Sequence, residues 1–299
     1  MEEETLRVDA IIKSQFSTLS RRQIEEALES GLVIDSEGQR IKKGDRLPAA
    51  RVQLRRLSEQ LDFLAKGNPD VRLKLVDQDA DAVVIEKPAG VACAPHSLLD
   101  AKSVTAWALA RFPNLKKDFP DPQPTVTPFV IEDEIGGLLL VAKHGAGYKR
   151  WQERYEQKQI TFSYLAWCWG EPKPHRFFIS TPLGKLPGDV DQWVVATPEM
   201  TFHPPAKDAV TVVRVAERIK RPNERGFFLA EITVSSNVAH QARVHMAHQG
   251  FPVVGDKLYD PLYSTRPALC QEPQLLLYEL KYGTQVAKMD TETFKTRTY

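Results

Sequence analysis

Residues 127–143 read TPFVIEDEIGGLLLVAK and carry three consecutive carboxylates, Glu132, Asp133 and Glu134, before a glycine pair and an apolar run. A carboxylate held on a turn can act as a nucleophile or as a general base. Acidic side chains on a turn before a strand are also common as plain solvated charge. The pattern alone leaves both interpretations open.

A second group of residues that could do chemistry is the segment AHQARVHMAHQG, with His240, His245 and His248. On the helix that this segment predicts, His240 and His248 lie about 12 Å apart along the axis, too far to share one ion. The segment HGAG at 144–147 lacks the spacing of the phosphate-binding glycine motifs, so it is interpreted as a turn and a helix start. The sequence therefore predicts neither a metal site nor a cofactor site.

Basic residues are concentrated between positions 40 and 56, where only Asp45 opposes them. They are Arg40, Lys42, Lys43, Arg46, Arg51, Arg55 and Arg56. Such a stripe can contact the phosphates of a nucleic acid, or it can be a solubilising face. The formal net charge of +1 does not decide between these interpretations.

The bulk composition is that of a soluble globular protein. The 299 residues can bury a core in two domains, and 42% hydrophobic with 26% charged residues is an ordinary balance. The longest apolar run, 138–142, is far too short to cross a bilayer, so no membrane contact is expected. The acidic start MEEETLRV lacks the features of a signal or transit peptide, and Cys93, Cys168 and Cys270 have no paired spacing. We therefore expect a cytoplasmic protein without a disulfide framework.

The first part of the chain is predicted to be a small module, residues 1–57. The segment VDAIIKSQF has helical apolar spacing, and Ser20 can cap a second helix that ends at Gly31. The segment LVIDSEGQRIKKGD predicts a hairpin with its turn at 36–38, and RVQLRRL predicts a further short strand. The following residues, 58–70, are expected to be a linker that contains a helical turn.

The remainder, residues 71–299, is predicted to be one α+β domain. Strand-like segments dominate, among them LKLVDQDADAVVIEK, GLLLVAK, ITFSYLAWCWG, DAVTVVRVAER, FFLAEITVSS and LLLYELKYG. Helices are predicted at SVTAWALARF, AGYKRWQERYEQKQ and AHQARVHMAHQG. Since the helices interrupt the strands irregularly, we expect a mixed, largely antiparallel sheet and not a repeated strand–helix–strand fold.

The N-terminal module resembles the alpha-L RNA-binding module that a small-subunit ribosomal protein shares with many RNA-modifying enzymes. The resemblance lies in LRVDAII, LSRRQIEEALESGLV and IKKGDRL. It implies RNA contacts from basic side chains of the helices and the hairpin. These side chains are Arg7, Arg21, Arg22, Lys42, Lys43 and Arg46.

The rest of the chain resembles the RluA-type pseudouridine synthases. Five blocks occur in the family's order: VVIEKPAGVACAPHS, GLLLVAK, TFSYLAWCWGEP, AHQARVHMAHQGFPVVGDKLY and LLLYELKY. The resemblance implies a pseudouridine-synthase core, whose sheet surrounds a central cleft, and an isomerase activity on uridine in RNA.

The catalytic loop departs from the family motif. Aligned on GLLLVAK, the family's His-Arg-Leu-Asp falls on residues 129–132. Val130 then replaces the arginine that helps to displace the flipped uridine, and Glu132 replaces the catalytic aspartate. A second family loop, Gly-Arg-Thr-His-Gln-Ile-Arg, reads NVAHQAR here, and its first arginine has become Val238.

Half of the family site is retained. The resemblance places Tyr164 where a tyrosine packs on the target base, and Arg243 where an arginine pairs with the catalytic carboxylate and favours its charged form. Glu132 supplies a carboxylate on a side chain that is longer by one methylene. The carboxylate is displaced by about 1 Å, and such a displacement can lower the rate roughly 100-fold. The base must leave its stack before any chemistry, and that step has lost its arginine.

These observations predict an RNA-binding homologue whose turnover is lost or strongly reduced, a pseudoenzyme on the synthase scaffold. The expected partner is structured ribosomal or transfer RNA, and ribosomal precursor particles are a further expectation. The alternative is an active pseudouridine synthase that uses Glu132 as its catalytic carboxylate. The loop around Glu132 separates the two functions.

Overall fold

The computed structural model describes residues 4–188, 192–220, 226–265 and 270–296. Its strands are β1 (Thr5–Arg7), β2 (Ile34–Asp35), β3 (Arg46–Pro48), β4 (Val52–Gln53), β5 (Lys74–Gln78), β6 (Ala82–Lys87), β7 (Gly136–Ala142), β8 (Ile160–Trp169), β9 (Arg176–Ser180), β10 (Leu183–Lys185), β11 (Trp193–Val195), β12 (Val210–Ile219), β13 (Phe227–Val234), β14 (Leu275–Tyr282) and β15 (Gln285–Lys288). Its α-helices are α1 (Val8–Gln15), α2 (Arg21–Glu29), α3 (Arg55–Lys66), α4 (Val104–Arg111), α5 (Leu115–Asp118), α6 (Gly145–Glu156), α7 (Gln241–His248) and α8 (Glu292–Lys295). Among the described residues, no helix has the length and apolar character that a bilayer span needs.

A nine-stranded sheet forms the centre of the molecule, in the order β5-β6-β7-β14-β8-β13-β12-β9, with β15 paired to β14. Its strand pairs are antiparallel except that of β7 with β14, which is parallel. This arrangement confirms the predicted α+β class with a mixed, largely antiparallel sheet.

The central strands are buried along almost their whole length, which explains their nearly continuous apolar sequence. β7 (GGLLLVA) and β8 (ITFSYLAWCW) have buried side chains at nearly every position. Trp107 of α4 and Trp151 of α6 join these strands in the main apolar cluster. Towards the edge of the sheet, β12 alternates between buried and exposed positions in its first half.

The N-terminal region has an apolar cluster of its own, built from α1, α2, α3 and the short strands beside them. Ser20 and Gln23 form a capping box at the start of α2, as the predicted cap at Ser20 requires. The chain leaves this helix through Gly31, whose φ of +74° is the left-handed conformation that glycine tolerates. The N–H of Asp35 donates to the carbonyl of Gln39 (2.9 Å), which confirms the predicted turn.

α3 runs through most of the predicted linker, residues 58–70, and is longer than the helical turn expected there. Leu57 and Leu64 are buried in the N-terminal cluster, and Leu61 packs against it. Their spacing of four and three residues is a helical period that the charged residues between them obscure in the sequence. The strand predicted at RVQLRRL is reduced to β4, and α3 ends at Gly67 with a φ of +71°. The domain boundary at residue 57 stays a prediction.

Candidate active site

Glu132, Tyr164 and Arg243 line the same cleft. Glu132 lies on the loop before β7, Tyr164 in the middle of β8 and Arg243 in the first turn of α7. Val130 and Val238 also line this cleft, and the Val130 side chain is 52% exposed. The cleft encloses about 10 Å³, close to the space that a single water molecule needs. A nucleobase can therefore enter only after side chains move apart.

The backbone of the acidic loop, residues 130–134, is fastened to the turn that follows β6. The carbonyl of Asp133 accepts hydrogen bonds from the N–H of Gly90 (2.7 Å) and from the ammonium of Lys87 (3.0 Å). The same ammonium donates to the carbonyl of Val91 (2.7 Å). Lys87 is only 1% exposed, and this burial lowers its pKa. Sequence reasoning gave Lys87 no role; its one signal was a lysine at the end of an apolar strand.

Each acidic side chain of the loop has a partner on a different part of the fold. The pairs are Glu132 with the backbone N–H of His240 (3.0 Å), Asp133 with Nε2 of His96 (2.5 Å) and Glu134 with Nη1 of Arg243 (2.8 Å). Glu132 is the most enclosed, with 17% of its side chain exposed against 42% and 41% for the other two. None of the three is therefore plain solvated charge.

Arg243 is held by Asp256 and Glu134, and its ion pairs in the described part of the chain do not include Glu132; the pairing with Glu132 stays a prediction. Its Nε and Nη2 each donate to a different oxygen of Asp256 at 2.8 Å, in the bidentate geometry that suits a guanidinium. Its Nη1 donates to Glu134, and the ring of Tyr259 lies 5.1 Å from the guanidinium carbon. Burial alone would lower the pKa of Arg243, but the hydrogen bonds and charge of Asp256 raise it. Three of the five guanidinium N–H groups of Arg243 are thus used in holding the fold together.

Glu132 instead contacts the start of α7. His240 precedes that helix in a left-handed conformation (φ 59°), and no side chain of its own caps the helix. The Glu132 carboxylate accepts the His240 N–H, which is the place where a helix attracts negative charge. The His240 ring continues the network, since its Nε2 lies 3.8 Å from Glu132 and its Nδ1 lies 2.6 Å from the Tyr259 hydroxyl. That hydroxyl accepts the N–H of Trp193 (3.0 Å), which ties β11 to the cleft.

Tyr164 is nearly inaccessible in this closed cleft. Its side chain is 4% exposed, and its hydroxyl donates to Oδ1 of Asn237 at 2.6 Å. Burial raises the pKa of Tyr164, so the phenol stays neutral at physiological pH. Tyr155 donates to the carbonyl of Asn237 (3.1 Å), so two tyrosines fix the loop before α7. Packing of Tyr164 on a nucleobase stays a prediction.

Residues 81–248 match the family described as RNA pseudouridylate synthase, over more than half of the chain. The chain belongs to this family. The predicted resemblance to pseudouridine synthases is thereby confirmed.

Among curated relatives of this pseudouridylate synthase family member is an uncharacterised RNA pseudouridine synthase of Synechocystis. It is 28% identical over 260 residues, which cover 85% of this chain and 74% of the relative. The ribosomal large subunit pseudouridine synthase D of Escherichia coli O6:H1 is 26% identical over 268 residues, 87% of this chain and 73% of its own. The solved structure of human RNA pseudouridylate synthase domain containing 1 has a TM-score of 0.56 at 19% identity, covering 74% of this chain and 84% of the human one. The likeness to that structure supports the fold.

Outside the synthase domain, three of the six basic residues predicted to bind RNA line one groove of about 700 Å³, here called the N-terminal groove. They are Arg7, Arg21 and Lys43, accompanied by Lys13, which sequence reasoning missed. The groove also contains acidic partners, since Arg7 pairs with Asp9 (2.8 Å) and Lys43 with Glu25. The remaining three, Arg22, Lys42 and Arg46, are exposed but do not line it.

The basic stripe between residues 40 and 56 is not one free cationic face. Arg51 pairs with Glu37 (3.1 Å) and Arg55 with Glu59 (2.7 Å), and these side chains are largely exposed. Exposed ion pairs contribute little to stability, so phosphates can replace these carboxylates at little cost. The stripe can take part in RNA binding, but part of its charge is used within the protein.

The HGAG segment at 144–147 is a helix start, as the sequence indicated. The N–H of Gly147 donates to Nδ1 of His144 (3.0 Å), and the N–H of Gly145 donates to the carboxylate of Asp118 (2.6 Å). A carboxylate of the chain itself therefore occupies the N-terminus of α6. Within the described ranges, His, Cys, Asp and Glu side chains form no group of three that could hold a metal ion.

Proposed function

We propose that this member of the pseudouridylate synthase family binds structured RNA and converts uridine slowly or not at all. The observation that carries the proposal is the set of hydrogen-bond partners of the two charged residues in the cleft. Glu132 is bound to the N–H of His240, and Arg243 is bound to Asp256 and Glu134. In this closed state the Glu132 carboxylate is not free to act on a ribose, and Arg243 is bound to carboxylates other than Glu132.

The expected loss of turnover can be estimated from these hydrogen bonds. Freeing a carboxylate from a charge-assisted hydrogen bond costs about 1.5–3 kcal/mol, or roughly 10- to 150-fold in the population of the free form. The longer side chain of Glu132 displaces the carboxylate by about 1 Å, which lowers the rate by roughly another 100-fold. Val130 replaces a cation at the cleft and offers the displaced base no charge or hydrogen bond. These contributions multiply, so turnover should fall by a factor on the order of 1,000 or more even before base flipping is counted.

Two features support RNA as the partner. The N-terminal groove collects Arg7, Arg21 and Lys43, and side chains of this type bind phosphates. The Escherichia coli relative is named for the large ribosomal subunit, which favours ribosomal RNA, with transfer RNA as the other candidate. Ribosomal precursor particles would present such RNA, and assistance in ribosome assembly is the function that a non-catalytic binder would serve there.

A second candidate function is an active synthase that uses glutamate. One observation favours it: Glu132 keeps a carboxylate at the cleft with Tyr164 and Arg243 beside it, and 17% of that side chain is still exposed. If binding of RNA opens the cleft and releases Glu132 from His240, the carboxylate could reach a ribose.

RNA crosslinking in cells, with pseudouridine mapped at the crosslinked sites, tests the proposal. We expect enrichment of defined ribosomal or transfer RNA segments, and the same pseudouridine pattern at those segments whether or not the gene is present. Loss of a pseudouridine on deletion of the gene would favour the second candidate. Absence of any RNA enrichment would contradict both.

A further inference from the structure

The N-terminal region is fastened to the synthase domain by residues 95–100, here called the strap. Leu98 at its centre is 0% exposed and belongs to the apolar cluster of the N-terminal region. Its N–H donates to the carboxylate of Glu26 on α2, and its carbonyl accepts from Nε2 of Gln60 on α3 (2.7 Å). The side chain and both backbone groups of this one residue are thus used by the N-terminal helices.

A second set of contacts holds α2 directly. Gln23, which is 5% exposed, donates from Nε2 to Gln123 (2.9 Å) and to Asp121 (3.2 Å). Gln123 in turn donates to the carbonyl of Pro95 at the start of the strap (3.5 Å). Since Gln23 lies two residues after Arg21, the helix that carries this part of the N-terminal groove is fixed against the synthase domain.

A third contact closes the other end of the N-terminal region, where α3 meets α4. The N–H of Asn68 donates to the carbonyl of Ala106 (2.8 Å), and its side chain donates to the carbonyl of Ala101 (3.0 Å). The backbones approach so closely that a Cβ atom on Gly67 would lie 2.3 Å from the backbone nitrogen of Ala110. The chain between the two parts is therefore packed, and it does not behave as a free tether.

The strap also reaches the acidic loop. Nε2 of His96 lies 2.5 Å from Oδ2 of Asp133, the residue next to Glu132. The same short segment thus contacts α2, which lines the N-terminal groove, and the acidic loop, whose Glu132 lines the cleft.

We propose that the strap aligns the N-terminal groove and the cleft into one RNA-binding surface, which holds two parts of a single structured RNA at a fixed separation. This inference rests on the proposed RNA binding and adds its geometry. A docked module binds without the ordering cost that a loosely tethered module meets, so docking raises the affinity for an RNA that reaches both surfaces. It leaves unchanged the affinity for an RNA that reaches only one.

The test uses the full chain with Leu98→Asp, which places a carboxylate in the apolar cluster beside Glu26. Leu99→Asp is the matched control, because the neighbouring Leu99 side chain is 57% exposed. Trypsin reports docking, since Lys66 is exposed while the Gly67 that follows it is buried against α4. Two probes report binding: an unmodified ribosomal RNA transcript, and a short hairpin too small to reach both surfaces.

We expect Leu98→Asp to speed cleavage after Lys66 and to weaken binding of the long transcript about tenfold or more, with the short hairpin unaffected. Leu99→Asp should match the wild type in all three measurements. Faster cleavage with unchanged affinity for the transcript would overturn the inference. Failure of the wild type to bind either RNA would instead overturn the proposed function on which it rests.

A second variant covers the case in which Leu98→Asp unfolds the N-terminal region and loses both RNAs. Gln60→Ala with Gln123→Ala removes polar contacts to the strap and leaves the apolar cluster intact. This double variant should show the same selective loss for the long transcript. If it is cleaved faster after Lys66 yet binds the transcript as the wild type does, the strap does not align the two surfaces.

Discussion

Replacing Glu132 by aspartate, the residue that the family carries, should destabilise this protein. The Glu132 carboxylate accepts the N–H of His240 at 3.0 Å and is only 17% exposed. Removing one methylene withdraws the carboxylate by about 1–1.5 Å, beyond the range of a hydrogen bond. The loss of a charge-assisted hydrogen bond at the start of α7 should lower the free energy of unfolding by roughly 1.5–3 kcal/mol.

The assay is denaturant unfolding together with thermal unfolding. For a chain of this size each kcal/mol shifts the melting temperature by about 2–4 °C, so the expected shift is about 3–12 °C. Glu132→Gln keeps an acceptor oxygen and should lose only the helix-terminus contribution of about 0.3–1 kcal/mol. Glu199→Asp, on an exposed turn, is the matched control and should stay within about 0.5 kcal/mol. A Glu132→Asp protein as stable as the wild type would refute the claim that Glu132 caps α7.

Three further predictions concern Asp256, the N-terminal groove and Tyr164. Asp256→Asn leaves a buried guanidinium short of its main counter-ion and should lower the free energy of unfolding by about 3–5 kcal/mol in urea; a loss below about 1 kcal/mol would contradict this. Replacing Arg7, Arg21 and Lys43 by alanine should lower the slope of log Kd against log salt concentration for RNA binding by up to about 2–3. An unchanged slope would show that the N-terminal groove does not bind the RNA phosphates. Because the pKa of Tyr164 is raised in the folded state, its stabilising contribution is complete below about pH 10 and is lost as the pH rises further. Tyr164→Phe should therefore lose less stability than the wild type between neutral pH and about pH 11, and equal losses would contradict the burial argument.

Local features of this fold could be predicted from the sequence because interactions between residues close in sequence determine them. Ser20 and Gln23 form their capping box within one helical turn, and Gly31 ends α2 through its own backbone freedom. α3 was predicted only as a helical turn within a linker, although Leu57 and Leu64 are both buried in the N-terminal cluster. Packing against a distant part of the chain decided that the segment is a helix.

The hydrogen bonds of the cleft could not be predicted because the residues that form them are far apart in sequence. Glu132 and His240 are separated by 108 residues, and Glu134 and Arg243 by 109. The family resemblance placed Glu132 and Arg243 at the cleft but paired them with each other. Arg243 instead binds Asp256 in bidentate geometry and Glu134 through Nη1. Such choices depend on three-dimensional geometry that residue types alone do not encode.

Turnover on ribosomal and transfer RNA that lacks pseudouridine tests the central claim most directly. Tritium release from labelled uridine, or mass spectrometry of the digested RNA, should detect no product with the wild-type protein, although a separate binding assay should show that it binds the RNA. Glu132→Asp alone should restore little, and combination with Val130→Arg should restore measurable turnover, because the arginine fills the stack that the uridine leaves. Product formation by the wild type that Glu132→Gln abolishes would contradict this account and establish a synthase that uses glutamate.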